Sequence, residues 1–251
     1  MKIYETHAHL DFDKYDKDRD LILKKALEMG ITYINNIGYD DKSIIGSFAL
    51  ADKYPQIYAA AGFHPHDATK YDEELVRKYA KHPKCIAIGE IGLDYYRNLS
   101  PKKIQKKVFA EQIKIAMEYD LPIVVHDRDA HEDTLEILEK YMPKKVVFHC
   151  FAGDEIMAQR VLANGWKMSF TGNITYKNNN LHGVIRNCPN DSFFIETDSP
   201  YLTPVPFRGK RNDPTKLRYI IEKIADIKRI SPNKVAEYAY ENSIKFFLPN
   251  K

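Results

Sequence analysis

The chain is 251 residues long, with 44% apolar and 29% charged residues, the mixture of a globular protein able to bury a large core without cross-links. A net charge of +3 excludes a strongly basic nucleic-acid binder, so a nucleic-acid partner would need a local patch. Three cysteines (Cys85, Cys150, Cys188) stand far apart without CxxC spacing, the N-terminus has no signal-peptide pattern, and no apolar run nears the ~20 residues of a bilayer span; a soluble cytoplasmic protein is expected.

In chain order, "KIYET" reads as a strand and "DRDLILKKALEMG" as a helix stopped at Gly30. "ITYINNIG" is a second strand. "DDKSIIGSFALADKYP" is a helix begun by Asp40 or Asp41 and ended before Pro55. "IYAAAGFHPHD" gives a third strand and its loop, "DEELVRKYAKHP" a helix, and "CIAIGEIGLDYY" a fourth strand. Ser100 as cap and Pro101 in the first turn begin a helix that runs to about Tyr119. Strands five to eight are "PIVVHDRD", "KVVFHCF", "KMSFTGNI" and "SFFIETDSPYLTP", separated by "EDTLEILEKYM", "DEIMAQRVLANG" and a short helix near "LHGVIRNC". Two helices, near 214–228 and 232–246, finish the chain.

Eight short apolar runs alternating with helices suit strands buried on both faces of a parallel sheet. Eight βα units in about 250 residues is the arithmetic of a single (β/α)8 TIM barrel over 1–251. A doubly wound open sheet is the other candidate, but no GxGxxG follows the first strand. Linkers, low-complexity tracts and close repeats are not evident.

His7 and His9 stand two apart at the end of strand one, so both side chains leave the same face; they suit a metal site or an exposed polar strand. The other strand ends resolve this. His64 and His66 end strand three, Glu90 strand four, His126 strand five, His149 strand six, and Glu196 and Asp198 strand eight. Taken singly, each has a structural reading: a hydrogen-bonded histidine, a turn cap at Glu90, another at Asp198 before Pro200. Together they converge on the C-terminal face, where barrel active sites form. Unpartnered burial would cost kcal/mol per group, and a shared divalent cation removes that cost. His7, His9, Glu90, His126, His149 and Asp198 make six donors, more than one tetrahedral catalytic ion needs. Six suit two ions about 3.5–4 Å apart that share a carboxylate, with Glu90 on the middle strand as the bridge.

These segments resemble the TatD-type metal-dependent deoxyribonucleases of the amidohydrolase-like barrels. The matching pieces are "THAHLD" (6–11), "GFHPHD" (62–67), "GEIGLDYY" (89–96), "QKKVFAEQIKIA" (105–116), "LPIVVHDRDA" (121–130), "FHCFAG" (148–153), "SFTGNIT" (169–175) and "ETDSPYLTPVPFRGKRNDP" (196–214), in the family's order across nearly the whole chain. By motif the resemblance carries over the ligands His7, His9, bridging Glu90, His126, His149 and Asp198. It implies two divalent ions, of which Zn, Mn, Mg, Co and Fe all remain open, and hydrolysis of DNA, mainly as a 3′→5′ exonuclease on single strands or 3′ ends. A binuclear barrel hydrolase acting on an amide, ester or lactone is the alternative.

The expected mechanism places His7, His9, Glu90 and Asp198 on one ion and Glu90, His126 and His149 on the other, with an activated hydroxide between them. Asp198 accepts the proton, and Glu90 serves both as bridge and as part of the catalytic apparatus. His64 is read as a phosphate or leaving-group contact, or as a structural residue of the Pro65 turn. Arg128, Arg208, Lys210 and Arg211 are candidate phosphate contacts, or a solvated basic surface. Tyr95, Tyr96 and Phe207 are candidates for base stacking or for packing. Glu196 is expected one layer deeper, holding a ligand in place. No membrane and no obligate protein partner are inferred, and a monomer is the default.

Overall fold

We describe the protein from a computed structural model covering residues 1–248; the last three residues of the expected 1–251 span lie outside the described residues. Eight parallel strands pair in sequence order: β1 (Ile3–Ala8), β2 (Ile31–Ile37), β3 (Ile57–Ala61), β4 (Cys85–Asp94), β5 (Ile123–Arg128), β6 (Val146–Phe148), β7 (Lys167–Phe170) and β8 (Phe193–Ile195). The segment after β8 returns to β1. Ser199 bridges Ala8, the His9 amide donates to the Ser199 carbonyl at 2.8 Å, and the Asp198 amide donates to the His7 carbonyl at 3.0 Å. These bonds close a (β/α)8 TIM barrel.

The helices are α1 (Arg19–Glu28), α2 (Asp41–Lys53), α3 (Glu73–Ala80), α4 (Lys102–Glu118), α5 (His131–Tyr141), α6 (Glu155–Ala163), α7 (His182–Asn187), α8 (Leu217–Lys228) and α9 (Pro232–Phe247). Local chemistry sets their starts. Asp40 and Ser43 form a reciprocal capping box on α2, while Asp72, Asp154 and Ser231 accept the N3 amides of α3, α6 and α9. Ser100 does not cap α4 as expected. Its hydroxyl donates to the His66 carbonyl at 2.8 Å, and Pro101 stands at the cap position rather than in the first turn. Ser100 thus ties the β3 loop to the start of α4. None of the helices among the described residues is long and apolar enough to cross a membrane, and all three cysteines there are free thiols.

Side-chain alternation explains where the site sits. Tyr58 and Ala60 on β3, Val124 on β5, Val147 on β6 and Phe194 on β8 belong to an inner apolar cluster at the N-terminal end of the barrel, which Phe246 and Phe247 of α9 plug from below. Moving up each strand by two residues keeps the same inward face. The step leads from Ala60 through Gly62 to His64, from Val124 to His126, from Val147 to His149, and from Phe194 through Glu196 to Asp198. The inner face therefore changes from hydrocarbon to titratable groups on ascending the barrel. On β4, Gly92 has φ of +146°, and a Cβ there would lie 1.9 Å from the His126 carbonyl oxygen, so only glycine lets β4 and β5 approach at this level.

Candidate metal centre

The carboxylate of Glu90 lies at the middle of the site, and its two oxygens face different partners. Oε2 is 3.4 Å from His7 Nε2 and 3.9 Å from His9 Nε2. Oε1 is 2.8 Å from both His126 Nδ1 and His149 Nε2, and 3.5 Å from His64 Nε2. Asp198 Oδ1 completes the first set, 3.5 Å from His9 Nε2 and 3.7 Å from His7 Nε2, and these two imidazole nitrogens are 3.3 Å apart. All six expected donors thus converge in one small volume at the C-terminal face. His64 joins them as a seventh group, close enough to Glu90 and His126 to share a cation with them.

The donor set fits divalent ions. Four donors held about 2.1 Å from one tetrahedral cation lie roughly 3.4 Å from one another. The measured separations among His7, His9, Glu90 and Asp198 run from 3.3 to 3.9 Å. Only one of two imidazole nitrogens facing each other can donate a proton, so the arrangement leaves lone pairs pointed at a common space. The rings are fixed from behind. His9 Nδ1 bonds the Ile37 carbonyl at 2.9 Å, which directs Nε2 inward. The His7 and His149 rings stack at 4.1 Å, and neither Nδ1 has a hydrogen-bond partner among the described residues. On the far side of the His149 ring from Glu90, Glu196 Oε1 is 3.4 Å from Nδ1 but not aligned for a hydrogen bond; the same oxygen accepts the Cys150 amide at 2.6 Å.

The protons already present report the charge balance. Burial penalises the Glu90 carboxylate, yet the surrounding histidines, His149 and His64 foremost, hold it ionised well below the usual range. Burial likewise opposes the His149 and His126 cations, but Glu90 with Glu196 and Asp94 keeps both above the ordinary value. His64, buried beside His126, is driven well below it. For His9, burial is outweighed by Asp198 and then Glu90, which lift it to about 9. A cation must displace that proton. The apparent affinity for Mn²⁺ should therefore rise with pH from about 6 through 9, measured by calorimetric titration with proton release followed in parallel. A flat profile would separate His9 from the cation.

Two buried acids were missed by the sequence reading. Asp94 accepts from His126 Nε2 at 3.1 Å and from His66 Nε2 at 2.8 Å, and Gln105 supports the surrounding backbone. It lies four residues after Glu90 on the same strand, so its inward direction was available from the period of two. Glu5 accepts from the Thr197 amide at 2.9 Å and its hydroxyl at 2.7 Å, and from the His7 amide at 3.2 Å. It ties the two ends that carry His7 and Asp198, and burial raises its pKa to about 8.

The expected substrate contacts divide. Arg128 lies over the exposed ring of Tyr96 at 4.0 Å, Arg208 lies over Tyr176 at 4.4 Å, and Lys210 is exposed. Arg211 is engaged elsewhere. Its guanidinium grips both carboxylate oxygens of Asp18, donates to the Lys14 carbonyl, and covers Tyr15, so it is not presented as a phosphate clamp. Tyr95 donates to Asp133 and Phe207 packs edge-on to Tyr219, which leaves Tyr96 as the open ring of the three.

Comparison with known proteins gives the family. The family model described as TatD related DNase matches residues 4–248. The chain belongs to the TatD family of metal-dependent hydrolases. It is 39% identical to the uncharacterized metal-dependent hydrolase YabD of Bacillus subtilis, over 99% of this chain and all of that one. It is 33% identical to a protein of Escherichia fergusonii named 3′-5′ ssDNA/RNA exonuclease TatD, over 89% of this chain and 90% of that one. The crystal structure of YJJV, a TatD homologue of Escherichia coli K12, superposes with a TM-score of 0.93 at 28% identity, covering 98% and 97% of the two chains.

Proposed function

We propose that this TatD-family member is a phosphodiesterase that removes nucleotides from the 3′ end of single-stranded DNA, using two divalent cations. The observation that carries the reading is the divided Glu90 carboxylate, one oxygen facing His7 and His9 and the other facing His126 and His149. His7, His9, Asp198 and one Glu90 oxygen would hold one ion; the other Glu90 oxygen, His126 and His149 would hold its neighbour, with His64 at the edge of that set. Such a histidine-rich donor set suits Zn, Mn, Co or Fe. When bound, the ions lower the pKa of water and neutralise charge at a phosphoryl oxygen.

The protein's own groups do the rest. Asp198 is one of two donors, with His126, that are only partly buried, and it is the carboxylate of the pair, so it can accept the proton of an attacking water. Glu196 accepts the Cys150 amide and places a negative charge behind His149. Arg128, Arg208 and Lys210 are the exposed cations suited to the backbone of a bound strand. The basic mouth and the similarity to a protein named as an exonuclease favour phosphodiesters over amides, esters or lactones.

The test is digestion of a 5′-labelled single-stranded oligonucleotide. A ladder shortening from the 3′ end is expected with Mn²⁺, abolished by EDTA and restored by adding the metal back. KM should rise steeply with salt, as phosphate contacts require. Turnover of an amide or lactone in place of any oligonucleotide would overturn the reading.

A further inference from the structure

Beside the donor cluster, on the side of β1, β2 and β8, stand three aromatic rings to which neither the sequence reading nor the proposed chemistry gives a role. Tyr39 meets the His9 ring edge-on at 5.3 Å, and Tyr201 meets it at 6.4 Å. Phe12 joins the pair, 6.4 Å from Tyr39 and 6.1 Å from Tyr201. Phe12 and Tyr39 are half-buried, whereas Tyr201 remains 47% exposed.

The exposed ring is held in place. The Tyr201 amide donates to the carbonyl of Asp198 at 2.8 Å, so its backbone is anchored on a metal-donor residue. Its carbonyl accepts from Asn212 Nδ2 at 2.7 Å, and that buried amide also bonds the Thr197 carbonyl at 2.9 Å. Phe12 packs perpendicular to Tyr201 and limits its swing from one side. A large apolar surface fixed one ring-width from His9 and left open to solvent is poorly explained by packing alone. It is well suited to a flat ligand, because base–aromatic stacking needs a preordered ring and tolerates any base.

Resting on the nuclease reading, we propose that Tyr201, backed by Phe12 and Tyr39, is a stacking platform for the unpaired nucleobase next to the scissile phosphate. A base within a duplex is already stacked between its neighbours and cannot lie on this shelf without leaving them. The platform therefore selects single-stranded ends by the same contact that orients the phosphate over the donors. Since it reads a π-face rather than hydrogen-bonding edges, it discriminates little among the four bases.

The test is a two-by-two comparison of wild type and Tyr201→Ala on two oligonucleotides, one with a normal 3′-terminal base and one with an abasic 3′ terminus. On the normal end Tyr201→Ala should raise KM by roughly 5- to 100-fold, the worth of one stacked base. Removing the base should cost the wild type a similar factor, and the two losses should not add when combined. Tyr201→Phe and Tyr201→Trp, which keep the ring, should retain the wild-type KM. Additive losses, an unchanged KM in Tyr201→Ala, or equal failure of Tyr201→Phe would each overturn the platform while leaving the nuclease reading in place. A wild type that cleaves neither oligonucleotide overturns both.

Discussion

Replacing Asp198 by asparagine is expected to remove most turnover and leave the fold intact. The carboxylate stands 3.5 Å from His9 Nε2 and 3.7 Å from His7 Nε2, where a donor must carry negative charge to share a cation with two neutral imidazoles. In the proposed reaction the same carboxylate accepts the proton of the attacking water. An amide offers the same shape but a weaker ligand and no base, so kcat should fall by about 10² to 10⁴. The backbone should tolerate the change. Asp198 has φ of +52°, and asparagine is among the few residues that occupy the left-handed region readily. Its amide bond to the His7 carbonyl is untouched. The check is kcat at saturating Mn²⁺ beside the thermal midpoint. Retained turnover removes Asp198 from proton transfer; a lowered midpoint would mean that its charge also supports the barrel seam.

A barrel mouth lined by strand-end side chains leaves a pattern in the sequence. Parallel strands buried on both faces leave apolar runs, so all eight were visible, and the residues just after them announced the mouth. Strand β8 is shorter than its apolar pattern suggests. After Glu196, whose amide still donates to the Phe170 carbonyl of β7 at 3.1 Å, the chain turns toward β1, where the Asp198 and Ser199 backbone groups bond. Asp94 shares the inward face with Glu90 by the period of two, but the sequence does not show that it binds His126 and His66 rather than a cation. Ladder pairing with β5 continues through Asp94, which keeps its side chain inward.

Long-range pairing was the harder problem. The partner that occupies Arg211, Asp18, lies nearly two hundred residues earlier, and local composition gives no sign of it. Aromatic rings near a barrel rim are equally ambiguous, since packing and binding use the same residue types until exposure is known. Tyr95 and Phe207 proved to be packed, and Tyr201, unremarked in sequence, proved to be open.

Glu90→Gln should have the broadest consequences, because a single substitution reaches both donor sets. An amide has one oxygen and one NH2 group. Whichever way it turns, one set keeps an acceptor and the other meets a nitrogen that cannot bind a cation. The variant should hold fewer ions per chain than wild type by elemental analysis, and kcat should fall by at least ~10³, several kcal/mol of lost charge stabilisation. Glutamine also removes the counter-ion that the buried imidazoles share, which predicts a pH-dependent loss of stability in the metal-free protein. Glu90 is held ionised below its usual range, so its contribution is present above about pH 4.5 and lost on acidification. His149 is raised, largely through Glu90 and Glu196 acting against burial, so its contribution is full below about pH 6.5 and lost as the pH climbs through that raised value. The two windows overlap between about pH 4.5 and 6.5. Urea unfolding in chelator should show the largest gap between wild type and variant there, with the gap closing as the pH climbs through the raised His149 value. A gap that is constant with pH would mean that Glu90 acts by shape and hydrogen bonding, with no contribution from its charge.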